Sequence, residues 1–344
     1  MDGLGVKKQL EVEPSAIHSL MTGYLGSKAL FLGVETGLFN YLDSQGRTED
    51  EISKELSLKS RPVRILLKAC RGAGLVAKTG ELYTNTPVSS KFLVKGKETY
   101  MGDLALHQST HFNNFSILSE ALRTNTSITG RVGIEGYANE GAGQKEEREG
   151  TKKFVKALHG SAIVQAKTLA KECLLKGEHL ADLGCGSGAY SIEIALANPN
   201  IKITSMDYPA VCDVASEYVR NANLQDQISF YPGDLFNDPL PTGIDSILLS
   251  HVLDGYGRKR SYQLLKRIYA ALPTGGQLII HAHLPERAEA SFPFLFNLIL
   301  LANTAEGEAH DEKTLEAWLN KIGFSQLEIK KISPISSLVT CIKS

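Results

Sequence analysis

The chain has 344 residues, 42% of them hydrophobic and 22% charged, with a formal net charge of −1. That length suits two domains and a large buried core. The near-neutral balance gives no support for a nucleic-acid partner, and five scattered cysteines without CxxC or Cys/His ligand spacing read as the reduced thiols of a cytoplasmic protein.

The opening MDGLGVKKQLEVEPS has no apolar signal core. After it, IHSLMTGYLGSKALFLGVETGLFNYL carries apolar residues at helical spacing, among them Leu20, Tyr24, Ala29, Leu32 and Val34. TEDEISKEL starts with Thr48 and Glu51 in a capping-box pattern. SRPVRILLKACRGAGLV has Pro62 in its first turn and glycines at its end, and VAKTGELYTNTP alternates around a Thr79-Gly80 turn. Helices followed by a hairpin make a winged-helix pattern over residues 1–100. Residues 101–175 read as a helical connector, interrupted by a glycine-rich loop at 130–144.

Residues 176–344 alternate strand and helix. EHLADLG, IKITSMD, ISFYPGD, DSILLSHVL and QLIIHAHL read as strands, and LEIKKISPISSLVTCIKS supplies two more. This predicts an α/β domain, a Rossmann-like mostly parallel sheet with helices on both faces. The apolar run Phe292 to Ala302 falls well short of the ~20 residues that cross a bilayer. It is expected to be a buried helix, with no membrane partner.

ADLGCGSGAYS is the sharpest motif. Asp182 ends a strand, and Gly184, Gly186 and Gly188 lead into a helix, so backbone can approach a ligand near free N–H groups. The third glycine comes too early for a dinucleotide fingerprint, and the GK[ST] of a phosphate loop is missing. The pattern suits S-adenosylmethionine (SAM), which has no phosphate. A second strand ends at Asp207, roughly 20 residues past the glycine turn, where a carboxylate can accept both ribose hydroxyls. A third leads to Asp234 and Leu235, placed to bond and sandwich an adenine.

These motifs, in this order, make the chain resemble the small-molecule O-methyltransferases of the hydroxyindole/caffeate type. SKALFLGVETGLFNYL, RPVRILLKACRGAGLV and YTNTPVSSKFL are similar to that family's winged-helix dimerisation domain. DLGCGSG, MDYPAV, GDLF, DSILLSHVL and GGQLIIHAHLPE are similar to its cofactor-domain motifs. The resemblance implies a SAM-dependent methyltransferase acting on a small-molecule acceptor as a homodimer. The expected cofactor contacts are Asp182, Gly184, Gly186, Asp207, Tyr208, Asp234, Leu235 and Ser250.

One motif departs from the family. Members that methylate phenols read HVLHDW, the second His being the base, whereas this chain reads HVLDGY, with His251 retained and Asp254 at the base position. An ordinary Asp, at ~3.9, is a poor base for a phenol. The candidate catalytic residues are therefore Asp254, His251, His281 and His310, with His283 sharing a strand face with His281. Oxygen, sulfur and carbon all stand as acceptor atoms, with a lean away from a plain phenol. A histidine could have taken over as base. A thioether sulfur would need no base. A carbon beside a ketone could use a metal near Asp254 and His310 or His251, although no metal site is assigned from the sequence. A SAM-binding regulator without activity is the remote alternative.

Overall fold

The computed structural model describes residues 14–43, 45–128 and 145–344, without the side chains of 111, 113 and 145–148. The expected loop at 130–144 lies outside the described residues. The chain divides into two compact units, Met1–Ser109 and Thr110–Ser344.

In the first unit, helix α1 (Ser15–Glu35) stops at Gly37, whose φ of +78° is open to glycine at little cost. A short α2 (Leu38–Tyr41) follows. Helix α3 (Glu49–Glu55) begins with the expected capping box, the Thr48 side chain accepting from the Glu51 N–H and the Glu51 carboxylate accepting from the Thr48 N–H. Helix α4 (Ser60–Gly72) buries Val63, Leu67 and Cys70, one stripe at helical spacing. Strands β1 (Val76–Thr79) and β2 (Leu82–Asn85) pair antiparallel as the wing, and α5 (Pro87–Phe92) closes the unit. The first turns of α1 do not join this core. Leu20 is 82% exposed, and Ile17, Met21, Tyr24 and Leu25 are exposed with it.

Helix α6 (Gly102–Phe115) crosses the division, and α7 (Leu118–Thr124) and α8 (Lys145–Glu172) follow. Then come β3 (His179–Leu183), α9 (Ala189–Ala197), β4 (Lys202–Met206), α10 (Pro209–Asn221) and β5 (Ile228–Phe230). After these lie β6 (Ser246–Ser250), α11 (Arg258–Ala271), β7 (Gln277–Ala282), α12 (Phe292–Asn303), α13 (Glu312–Ile322), β8 (Phe324–Lys331) and β9 (Ser337–Lys343). The seven strands form one sheet in the order β5-β4-β3-β6-β7-β9-β8. The first five are parallel, and β9 runs antiparallel to both its neighbours, β7 and β8, so that β8 points the same way as the first five.

Every residue of β6 and β7 is buried. Helices cover both faces of these strands, which is why SILLS and QLIIHA lack polar alternation. From β3 the chain works outward through β4 and β5, then returns to β6 on the other side. A crevice opens at such a reversal, beyond the carboxyl ends of β3 and β6.

The apolar run at 292–302 departs from expectation. It forms α12, but only Pro293, Leu300 and Ala302 of that helix are buried, and Phe294 is 58% exposed. The run is apolar all round, so periodicity could not tell a core helix from one with a face left open.

Candidate functional site

The glycine turn lies at the crevice. Gly184, Gly186 and Gly188 all have positive φ (+77°, +55° and +75°), where a side chain would be strained. Their surroundings differ. A Cβ on Gly184 would lie 2.6 Å from Val252 Cγ2, whereas one on Gly186 would meet nothing within 4 Å. The Gly184 requirement is packing, and the open space beside Gly186 is a cradle. Gly188 is the N-cap of α9 without a side-chain cap, so that helix presents backbone donors to the cradle.

Asp207 ties this turn to β4. Its Oδ2 accepts from the Gly186 N–H at 2.9 Å and its Oδ1 from the Tyr208 N–H at 2.8 Å. Each oxygen keeps a lone pair for another donor. Burial pushes the carboxyl up to about 6, against the pull of those two bonds. Tyr208 is the N-cap of α10, with Pro209 in its first turn, and packs with Val155, Val211 and Val214.

Asp182 is placed differently. It is 1% exposed and accepts from Ser191 Oγ at 2.6 Å, and that hydroxyl also lies 2.8 Å from Ser205 Oγ. Burial pushes its carboxyl up to about 7, and the Asp207 charge adds to the rise. This acid braces the start of α9 against β3 and β4. Asp234 accepts from the Phe236 N–H at 2.8 Å and from Asn237 Nδ2, closing its own turn. Leu235 lies in the core with Leu183 and Met206.

Beyond β6 the chain turns sharply at His251, whose φ is +54°. Non-glycine residues rarely hold that conformation, and it collects at functional sites. Here the His251 N–H donates to the His281 carbonyl at 2.8 Å, continuing the β6–β7 pairing through the bend. The His251 ring lies 4.4 Å from the His281 ring and 4.3 Å from the His283 ring, centre to centre. Its Nε2 is 3.2 Å from Gln165 Oε1 on α8. Its Nδ1 is 3.8 Å from Asp254 Oδ2.

Asp254 is 3% exposed on the 3-10 turn Leu253–Gly255, and its Oδ2 and His251 Nδ1 are buried without a hydrogen-bond partner among the described residues. His281 is fully buried, with Nδ1 3.1 Å from Ser250 Oγ. Burial, and then the neighbouring His251 and His283, hold its ring well below the usual histidine range. Burial brings His283 down to about 4, and its Nδ1 lies 2.7 Å from the Ile335 carbonyl. His310 is buried against Trp318 with Nε2 2.9 Å from Ser261 Oγ, and burial lowers it too.

The structure thus brings Gly184, Gly186, Asp207, Ser250, His251 and Asp254 to one sheet edge. His281 lies behind them, Asp234 closes the turn after β5, and His310 lies close enough to Asp254 to feel its charge. Among the described residues, no three His, Cys, Asp or Glu side chains are grouped to hold a metal ion. Two residues of α8 join the site, Gln165 without any sequence signal and His159 as a histidine that the sequence reads as more structural than catalytic. Gln165 reaches His251, and His159 reaches Ser187 of the glycine turn, Nδ1 to Oγ 2.9 Å, while stacking on Tyr218 at 3.6 Å.

A family model described as the O-methyltransferase domain matches residues 121–325. The chain belongs to the O-methyltransferase family. A second model, the O-methyltransferase dimerisation domain, matches residues 18–95. As an O-methyltransferase family member the protein is a SAM-dependent methyltransferase. It is 30% identical over 269 residues to a 3-hydroxy-5-methyl-1-naphthoate 3-O-methyltransferase of Streptomyces sahachiroi, covering 78% of this chain and 76% of that one. It is also 30% identical over 270 residues to an N,N-dimethyltransferase of Streptomyces rimosus, covering 77% of each. The structure of human N-acetylserotonin methyltransferase in complex with SAM superposes with a TM-score of 0.85 at 24% identity, covering 97% of this chain and 99% of that one.

Proposed function

We propose that this O-methyltransferase family member binds SAM in the cradle beside Gly186 and transfers its methyl group to a small acceptor held next to His251 and Asp254. The observation that carries the reading is the open space at Gly186 beside the Asp207 carboxylate, at the reversal of the strand order. Bound SAM supplies a methyl group activated by a sulfonium. Asp207 accepts the ribose hydroxyls through its spare lone pairs. The donors at the start of α9 and the bare backbone at Gly186 receive the amino-acid end. Asp182, through Ser191, keeps the turn and α9 in place.

Most of the rate then comes from alignment. Holding acceptor and methyl in line supplies up to ~7–11 kcal/mol. The S. sahachiroi and S. rimosus relatives act, by their names, on an oxygen and a nitrogen, so family membership leaves the acceptor atom open. The dimerisation-domain match and the exposed apolar face of α1 support a homodimer. Methyl-labelled SAM, mixed with the protein and a panel of hydroxynaphthoates, aromatic amines and thioether acids, tests the reading. Label is expected in a small product. Retention of all label in SAM, together with no calorimetric binding of S-adenosylhomocysteine (SAH), would remove it.

A further inference from the structure

We propose that His251 takes a proton from the acceptor and that Asp254, in the place of the base of phenol-methylating relatives, has become its buried orienting carboxylate, so that the acceptor carries its methylated atom as an O–H or N–H. This inference rests on the methyltransferase reading above and narrows its substrate class.

Nδ1 of His251 faces a carboxylate oxygen, and Nε2 faces an amide oxygen. A neutral imidazole has one N–H, so it satisfies one of these two acceptors and turns a lone pair on the other. Only the imidazolium donates to both. A neutral ring also fits when the Gln165 amide turns over and donates to Nε2, with the Nδ1 proton left on the Asp254 side. The surroundings therefore accept His251 both before and after it gains a proton, with Asp254 on the same nitrogen throughout. That is what a general base needs.

Two histidines, an amide and a carboxylate face His251. His281 and His283, from β7 and the residue after it, contact its ring and are kept neutral chiefly by burial. Tyr190 of α9 stands edge-on to His281, 5.5 Å away. Gln165 of α8 is uncharged. Among the described residues Asp254 is the one carboxylate beside the rings, and its buried Oδ2, 3.8 Å from His251 Nδ1, has no hydrogen-bond partner. His251 itself is 21% exposed and can meet a ligand, whereas Asp254 cannot.

The reaction balances. The acceptor's O–H or N–H replaces Gln165 at His251 Nε2. Its lone pair forms the new bond to the methyl carbon, the carbon–sulfur bond of the sulfonium breaks, and SAH departs neutral at sulfur. The proton moves to Nε2, so the positive charge of the sulfonium ends on the imidazolium beside Asp254. A thioether acceptor has no proton to give, and its product sulfonium would leave His251 and Asp254 without a task.

The test pairs two measurements on the full-length protein loaded with SAH or SAM, after calorimetry has shown that wild type and variants bind SAH alike. The first is nitrogen-detected magnetic resonance of the histidine rings. One protonation event among the stacked histidines is expected. His251→Asn, which tolerates the same backbone conformation, should abolish it, and Asp254→Asn should move it to lower pH. The second is methyl transfer to the panel of hydroxynaphthoates, aromatic amines and thioether acids across pH. Transfer is expected only to members with an O–H or N–H. The rate should rise with pH through one ionisation and fall about 10²-fold in His251→Asn. Asp254→Asn should lower kcat more than KM and move the limb to lower pH. An unchanged limb in Asp254→Asn, full activity of His251→Asn, transfer to thioethers alone, or no transfer to any O–H or N–H member by a SAM-binding enzyme would each overturn the proposal. Loss of SAH binding in the wild type would instead overturn the methyltransferase reading beneath it.

Discussion

Asp207→Asn is the sharpest test of the cofactor cradle, because the carboxylate has two tasks there. Its two oxygens accept backbone N–H groups from Gly186 and Tyr208. An amide has one oxygen, so its NH2 must face one of those donors, a mismatch of about 1–3 kcal/mol that falls on stability in free and bound protein alike. Each ribose hydroxyl donating to a charged oxygen adds about 1.5–3 kcal/mol to binding, of which the neutral amide recovers part. A net loss of about 3 kcal/mol is expected, roughly 150-fold in Kd. Calorimetric titration with SAH near pH 8 measures it. Wild-type affinity should also depend on acid. The ionised carboxylate is the form that accepts both hydroxyls, and burial has raised its pKa to about 6. Affinity is therefore full above that value and should fall up to tenfold per unit as pH drops below it. Asp207→Asn should be flat over the same range. A variant within twofold of wild type, or a wild-type affinity constant between about pH 5 and 8, would mean that the ribose lies elsewhere.

Gly186→Val should abolish measurable SAH binding in the same titration, since its side chain would enter the open space beside the turn. Strain at a φ of +55° should cost about 1–2 kcal/mol of stability without unfolding the protein, as read by circular dichroism. Asp182 sets a pH window for the ligand-free protein. Its carboxyl is raised from 3.8 to about 7 in the fold. The native state thus holds its proton longer than the unfolded chain does, and stability should fall as pH rises from about 4 to about 7. Asp182→Asn should remove that slope, a gain on the order of 2–4 kcal/mol at neutral pH. Urea melts at several pH values would show it, and parallel curves for the two proteins would refute it. Sedimentation should give a dimer at micromolar concentration, with an interface above ~2,000 Å² in total. Replacing Leu20 and Met21, both exposed on α1, by Asp should yield monomers with their far-ultraviolet dichroism intact.

The sheet and the cradle could be read from residues because their physics is local. Short apolar runs bounded by turn residues make strands, Thr48 and Glu51 cap a helix wherever they stand, and three glycines at one strand end mark a close approach of backbone. Asp207 was legible because strand order puts successive strand ends at one edge. The bond from Ser191 to Asp182 was not, because only three-dimensional packing brings that hydroxyl to the carboxylate. Gln165 is one polar residue among many on a 28-residue helix, and nothing in a helical repeat tells which face meets a histidine 86 positions away. The same holds for α12. Its composition announced burial, while the structure leaves Phe292, Phe294, Leu295 and Leu298 exposed.

The sheet order also constrains how the molecule can be built. β8 is made before β9, yet β9 lies between β7 and β8. β8 therefore has no seat on the sheet until its successor arrives, and the antiparallel pair must form first and add as a unit. Until then β7, QLIIHA, offers a bare apolar edge of the kind that recruits strands from other chains. A nascent molecule paused in that interval is where misassembly would begin. Mutations in the turn at Ser333–Ser336, where a hydroxyl pair 2.8 Å apart closes the hairpin, should lower the yield of folded protein more than they lower its final stability.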